Sequence, residues 1–206
     1  MIIELYGLPG SGKTTFAKRL AENNGFEIIK VRNKFSLFFY NFLYLIKHPV
    51  KFAATLFYIF GNFGDKRLVY YKLMNCFFQY NARYQKALRR PRAVLDQGYF
   101  QNILSVFEKP LTDAQLQRYL KYFLLPDVLF IFDLPFEEAK KRMEERGYIP
   151  RQKMGEEYLR RLEPIVAANH TAFKKIAHNL AFKKVIINAE KSVEDVYKEA
   201  GEIIGV

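Results

Sequence analysis

The stretch Gly7-Leu8-Pro9-Gly10-Ser11-Gly12-Lys13-Thr14 fits the pattern G-x-x-x-x-G-K-[ST] at every fixed position. It constrains the fold strongly, because such a loop works only between the end of a β-strand and the start of a helix. The neighbours comply. Ile2-Ile3-Glu4-Leu5-Tyr6 is a short β-type run, and Thr14-Thr15-Phe16-Ala17-Lys18-Arg19-Leu20-Ala21 has helical spacing that stops near Gly25. Gly7, Pro9, Gly10, Ser11, Gly12, Lys13, Thr14 and Thr15 are therefore the expected cradle for the phosphates of a nucleotide such as ATP. Backbone N–H groups would curl around the β-phosphate at a helix N-terminus, where the macrodipole also favours negative charge. Lys13 would reach the β- and γ-phosphates, and the Thr14 hydroxyl would ligate Mg²⁺. A glycine-rich turn that binds nothing is the bland alternative, but a lysine followed by a threonine at a helix start has no packing advantage.

A chain of 206 residues with 50% apolar content can fill one α/β core, so a single domain over 1–206 is expected. The one cysteine, Cys76, cannot form an internal disulfide and falls in an amphipathic run, which predicts a buried, unreactive thiol. The first strand begins at residue 2 with no basic region and apolar core before it, so a cytoplasmic protein is expected. The formal charge of +12 is concentrated. Between Ile28 and Leu95 stand Lys30, Arg32, Lys34, Lys47, Lys51, Lys66, Arg67, Lys72, Arg83, Lys86, Arg89, Arg90 and Arg92 against Asp65 alone, and thirteen minus one is the whole excess. An anionic partner should meet the chain in that third.

Phe26 to Arg32 reads as a second strand. Phe35–Ile46 and Phe52–Gly64 are charge-free runs of twelve and thirteen residues, too short for the ~20 that span a bilayer. They predict two helices separated at Lys47-His48-Pro49. From Arg67 to Arg90, Val69, Leu73, Phe77, Tyr80, Tyr84 and Leu88 fall three or four apart, which predicts one long amphipathic helix with Lys72 and Arg83 mostly off its stripe. Ala93-Val94-Leu95-Asp96 is a third strand with a sharp exit at Gly98, and Tyr99–Phe107 looks helical. Thr112 and Gln115 form a capping box, Val128–Phe132 is a strand buried on both faces, and Pro135 opens a helix closed at Gly147. A helix from about Gly155 to Asn179 should be interrupted by a kink at Pro164, and Lys184–Asn188 is the last strand before a helix capped by Ser192. Five strands alternating with helices predict a doubly wound parallel α/β sheet.

Asp96 ends an apolar strand, where an open α/β sheet binds its ligands, and suits a Mg²⁺-organising carboxylate or a general base. The competing role is a cap for the next helix. Asp133 ends the following strand, but a helix comes at once, which favours capping there. Arg142 and Arg146 lie four apart and Arg151 follows Gly147, so these cations could neutralise charge developing on a transferred phosphoryl group. His48, His170 and His178 have no metal-ligand spacing and read as structural.

Phosphate loop, strand-terminal Asp96-Gln97-Gly98, the Arg-x-x-x-Arg-Gly of Arg142 to Gly147, and a strand followed by Asn188-Ala189 and a capped helix resemble the nucleoside and nucleoside-monophosphate kinases of the P-loop group. Thymidylate kinases are most similar, with adenylate kinases related. The similarity covers roughly 1–32 and 92–206. It implies a P-loop NTPase fold with strand order 2-3-1-4-5, ATP and Mg²⁺ as cofactors, and a small anionic acceptor. It further implies a helical acceptor-binding insert at about 33–91 and an arginine lid at about 142–155. By position, Arg142 would stack on adenine, Arg146 and Arg151 would contact phosphates, and the loop from Ala189 would flank the base. Lys13, Asp96 and the three arginines would then be catalytic, Thr14 and Asp96 would hold the metal, and Arg32 and Gln97 would face the acceptor. The chain departs from thymidylate kinases in having Asn33-Lys34-Phe35 after Arg32 in place of Glu-Pro-Gly, and Gln97 in place of arginine. A different class of function also fits: a regulatory NTP-binding protein whose basic aromatic insert docks on a membrane surface or a nucleic acid. A homodimer is compatible with either.

Overall fold

The computed structural model describes residues 1–61, 68–122, 124–147 and 151–204. Five strands, β1 (Ile2–Gly7), β2 (Glu27–Ile28), β3 (Ala93–Leu95), β4 (Val128–Asp133) and β5 (Lys184–Asn188), form one sheet in the order β2-β3-β1-β4-β5. Every pairing is parallel, with Ile3 of β1 in register with Val94 on one side and Val128 on the other. This is the sheet expected from the sequence. Both faces are covered, which is why β1 and β4 read as almost unbroken apolar runs. The second strand is shorter than predicted. Only Glu27 and Ile28 are strand; Ile29 still donates to Val94 O at 3.0 Å, but the Lys30 carbonyl is taken by Lys86 instead of a strand neighbour.

Helix α1 (Lys13–Asn24) starts at the loop and stops at Gly25, whose left-handed conformation lets its N–H reach Leu20 O. Helices α2 (Lys34–Lys47) and α3 (Pro49–Phe60) follow, with Pro49 in the first turn, where its missing N–H costs nothing. The predicted end of the second helix at Gly64 and the start of the next at Arg67 lie outside the described residues. The long helix is not uniform. It comprises α4 (Val69–Lys72), a π-helical stretch Leu73–Phe78, and α5 (Gln79–Ala87), with the Gln79 N–H donating to Met74 O five residues back. The wider turn shifts the inward face, so that Lys72 is fully buried and Leu88 is half exposed, against the expected stripe.

Where a helix over Tyr99–Phe107 was expected, successive i→i+3 turns lead into only α6 (Asn102–Ser105). Helix α7 (Asp113–Leu120) opens with the predicted capping box. Helix α8 (Phe136–Glu145) has Pro135 at its N-cap and no side-chain cap. Asp133 therefore does not cap it; its carboxylate pairs with Lys174 at 2.5 Å. Helix α9 (Glu156–Ala177) continues through Pro164, so the proline at which a kink was expected does not interrupt the helix. Helix α10 (Val193–Ile204) is capped by Ser192, whose Oγ accepts from Asp195 N at 3.2 Å. One core joins sheet and insert: Ile3, Leu5 and Phe130 share a cluster with Tyr44, Ile59 and Phe77.

Candidate active site

Gly10 and Gly12 have φ of 88° and 86°, the left-handed region that glycine occupies cheaply, and a Cβ on Gly10 would lie 2.8 Å from Ala139 O. The loop can thus turn its amides inward against α8 only with glycine there. The Lys13 ammonium does not stand in water. It is buried, with Nζ donating to Gly7 O at 2.8 Å, Leu8 O at 2.7 Å and Ser11 Oγ at 3.1 Å. Three donors meet three acceptors. Burial pushes the ammonium down to about 7, and the charge of Asp96 pulls it back up. Thr14 and Thr15 are exposed at the first turn of α1.

Asp96 is half-buried directly after β3, at the carboxyl edge of the sheet beside β1. Its side chain does not cap the next helix: α6 follows Gln101 as N-cap residue, with no side-chain cap. The turn around it is braced from below. Glu4, in the middle of β1, is fully buried; it accepts from Tyr84 Oη at 2.5 Å and from Phe100 N at 2.7 Å. A Cβ on Gly98 would lie 2.4 Å from Glu4 Cδ, so glycine lets the turn close over that carboxyl. Burial pushes the Glu4 carboxyl up to about 8, with the Tyr84 and Phe100 hydrogen bonds opposing.

A cleft of about 420 Å³ connects the loop to the insert. Leu8, Pro9 and Lys13 line one end, and Tyr80, Arg83, Gln97, Gln101 and Arg151 line another part. Arg83 Nη1 donates to Gln97 O at 3.2 Å, and its guanidinium lies 5.6 Å from the Tyr80 ring centre. A cation thus stands beside Gln97. The charge comes from α5. Arg151 has a left-handed backbone (φ 61°) and donates to Tyr158 Oη at 2.9 Å and to Ser105 O, with its guanidinium 5.3 Å from the Tyr71 ring centre. Lys140 joins it in the wall, paired at 2.9 Å with Glu163. Beneath the wall, Lys72 and Glu108 form a buried ion pair at 2.9 Å.

The other expected residues divide. Arg142 and Ala189 come together: Nη1 donates to Ala189 O at 3.0 Å while Nε pairs with Glu138 at 2.9 Å. Neither lines the cleft. Arg146 is exposed at the end of α8, and Arg32 is exposed in a neighbouring hollow beside Asn33, Ser36 and Tyr40. Residues 148–150 of the expected lid lie outside the described residues. Cys76 is buried at the cleft wall, and burial pushes its thiol up to about 11. Arg83, Lys140 and Glu4 are the residues that sequence reasoning missed. Glu4 carried a signal, a lone acid inside the apolar run before the loop. Arg83 was counted only as part of a basic excess.

A family model described as an AAA domain, AAA_18, matches residues 3–163. The chain belongs to this AAA-domain family. No curated protein matches the sequence. Among solved structures, deoxyadenosine kinase from M. mycoides with bound dATP is similar at a TM-score of 0.62 and 16% identity, over 100% of each chain. The same kinase with the products dCMP and a flexible dCDP gives a TM-score of 0.55 at 18% identity, over 100% of this AAA-domain chain and 99% of the other. With bound dCTP it gives 0.56 at 15% identity, over the same shares. This AAA-domain protein therefore has the fold of the P-loop nucleoside and nucleoside-monophosphate kinases, as the sequence suggested.

Proposed function

We propose that this AAA-domain protein is an ATP- and Mg²⁺-dependent kinase that transfers the γ-phosphoryl group to a nucleoside or a nucleoside monophosphate. The observation that carries this reading is the continuity of the cleft from Lys13 in the phosphate loop to Arg83, Gln97 and Gln101. Donor and acceptor sites then share one wall. The similar M. mycoides structures hold dATP, dCTP, dCMP and dCDP, which supports an acceptor of this chemistry.

In this reading Gly7 to Thr15 hold the donor phosphates, with Lys13 leaving its loop carbonyls for the β- and γ-oxygens. Among the described residues no three His, Cys, Asp or Glu side chains gather as a metal cage. That fits Mg²⁺, which is held by one or two protein ligands together with phosphate and water, here Thr14 and Asp96. When bound, the metal supplies charge neutralisation across the β- and γ-phosphates. Asp96 takes the proton as an acceptor hydroxyl oxygen bonds to the γ-phosphorus; the bond from that phosphorus to the bridging oxygen breaks, leaving ADP. With a monophosphate acceptor, a phosphate oxygen attacks instead. Arg83 and Arg151 orient the acceptor, Gln97 and Gln101 offer it amide groups, and Arg32 lies at its approach. Arg142 and Ala189 flank the donor base, and Arg146 closes from the lid at 142–155. The insert at 33–91 thus selects the acceptor within one domain.

A transfer assay with γ-labelled ATP over nucleosides and nucleoside monophosphates tests this. Transfer to at least one of them is expected, with kcat lowered ~10²-fold or more in Asp96→Asn at unchanged Tm. No transfer to any of them, with ATP bound normally, overturns the reading.

A further inference from the structure

Nine of the fifteen large apolar side chains that the described residues expose lie on α2 and α3. Along α2, Phe35, Phe38, Phe42 and Ile46 recur at steps of three and four and are 78%, 71%, 50% and 60% exposed. Val50 and Phe57 of α3 are as exposed, at 77% and 74%. The other side of α2 is already occupied: Tyr44 enters the core, and Asn41 Nδ2 donates to Phe78 O at 2.9 Å. Between Lys34 and Lys47 the helix carries no charge. A helix apolar on both sides is one that something further covers.

Charge identifies the cover. Residues 28–61 contain no Asp or Glu, while Lys34 and Lys47 bound α2, Lys51 stands in α3, and Arg89 places its guanidinium 5.5 Å from the Phe39 ring centre. A second copy packed face to face would set these cations against their own kind. An anionic surface complements them. Helix α2, fourteen residues long, measures ~21 Å at 1.5 Å per residue, short of a ~30 Å hydrocarbon core. Among the described residues no helix is long and apolar enough to cross a membrane. Phenylalanines on one face with basic residues at the margins are what a helix lying in the lipid interface needs.

We propose that the outer face of α2 and α3 docks this protein on an anionic lipid surface, rings toward the acyl boundary and Lys34, Lys47 and Arg89 among the headgroups. This reading is independent of the kinase chemistry. The test is flotation of the full chain with vesicles of phosphatidylcholine alone, and of phosphatidylcholine and phosphatidylglycerol in equal parts. Wild type should float with the mixed vesicles, should not float with phosphatidylcholine, and should be released by salt. Lys34→Gln/Lys47→Gln/Arg89→Gln should weaken binding about a hundredfold, since each basic residue near such a surface is worth roughly a factor of five. Phe35→Ser/Phe38→Ser/Phe42→Ser should lose flotation too. Both variants should keep wild-type ATP affinity and Tm, because none of these side chains lines the cleft. Equal flotation with both vesicles, or none with the mixed ones, overturns the proposal. So does a wild-type dimer in sedimentation equilibrium that the Phe→Ser variant dissolves without any flotation, which would assign the face to a second copy. Salt-sensitive RNA binding in place of flotation would overturn it as well.

Discussion

Lys13 holds the phosphate loop closed on itself as well as serving as its cation. Its three bonds, to Gly7 O, Leu8 O and Ser11 Oγ, tie both ends of the loop to the start of α1. Lys13→Ala should act on binding more than on stability. ATP affinity should fall at least ~10²-fold, the loss of a charged partner from a buried phosphate site. The Tm should move far less, since the hydrogen bonds of this charged donor are offset by the burial that pushes its ammonium down to about 7. Titration calorimetry and a thermal melt check the two separately, and wild-type ATP affinity in the variant would refute the loop's assignment. The motif itself was legible because four fixed residues and their flanking periods act locally. That Lys13 would be buried was not, because its carbonyl partners depend on how the backbone turns at Gly10 and Gly12.

Helix α5 sorts its basic residues by face, which a linear charge count cannot do. Arg83 enters the cleft beside Gln97, whereas Lys86 and Arg90, the latter just past the end of α5, turn toward β2 and reach Glu27 at 3.4 and 2.8 Å. Arg83→Gln should therefore raise the acceptor KM about tenfold or more with ATP affinity unchanged, as for a polar contact near a bound substrate. Lys86→Gln should change neither, and steady-state kinetics on the two variants distinguish them. Equal effects would mean that the helix acts only as a basic field. The capping box at Thr112 and the two aromatic helices were readable, since each follows from a short-range period or a local donor and acceptor, whereas the strand order came only from the resemblance to the P-loop kinases. The π-helical stretch at Leu73–Phe78 was not, because a 3.6-residue template assumes the regular turn it would need to detect. Asp133 illustrates the same limit: sequence places it ahead of a helix, but its partner Lys174 lies 41 residues away.

Across the whole molecule, ionisable groups buried by different elements pull stability in opposite directions with pH. Glu4 in β1 is held neutral by burial, with a folded pKa raised from 4.5 to about 8. The folded state therefore binds a proton that the unfolded state has lost, so a penalty is absent below pH 4.5, grows up to about 8 and is constant above. His170 in α9, whose Nδ1 lies 3.1 Å from Tyr6 Oη, is pushed down to about 4 by burial and by Lys174. Its contribution is full above 6.5 and is lost as pH falls toward 4. Glu4→Gln keeps the shape and an acceptor for Phe100 N, and its amide can donate to Tyr84 Oη, while removing the titration. Its Tm should match wild type near pH 4.5 and exceed it increasingly up to about pH 8. At roughly 1.4 kcal/mol per pKa unit, the gap reaches several kcal/mol at full ionisation. The acid limb should stay where His170 sets it, in both proteins. Parallel Tm curves for wild type and variant across that range would mean that Glu4 stays ionised under Gly98, and the turn carrying Asp96 would then rest on a buried charge instead of a neutral hydrogen-bonded carboxyl.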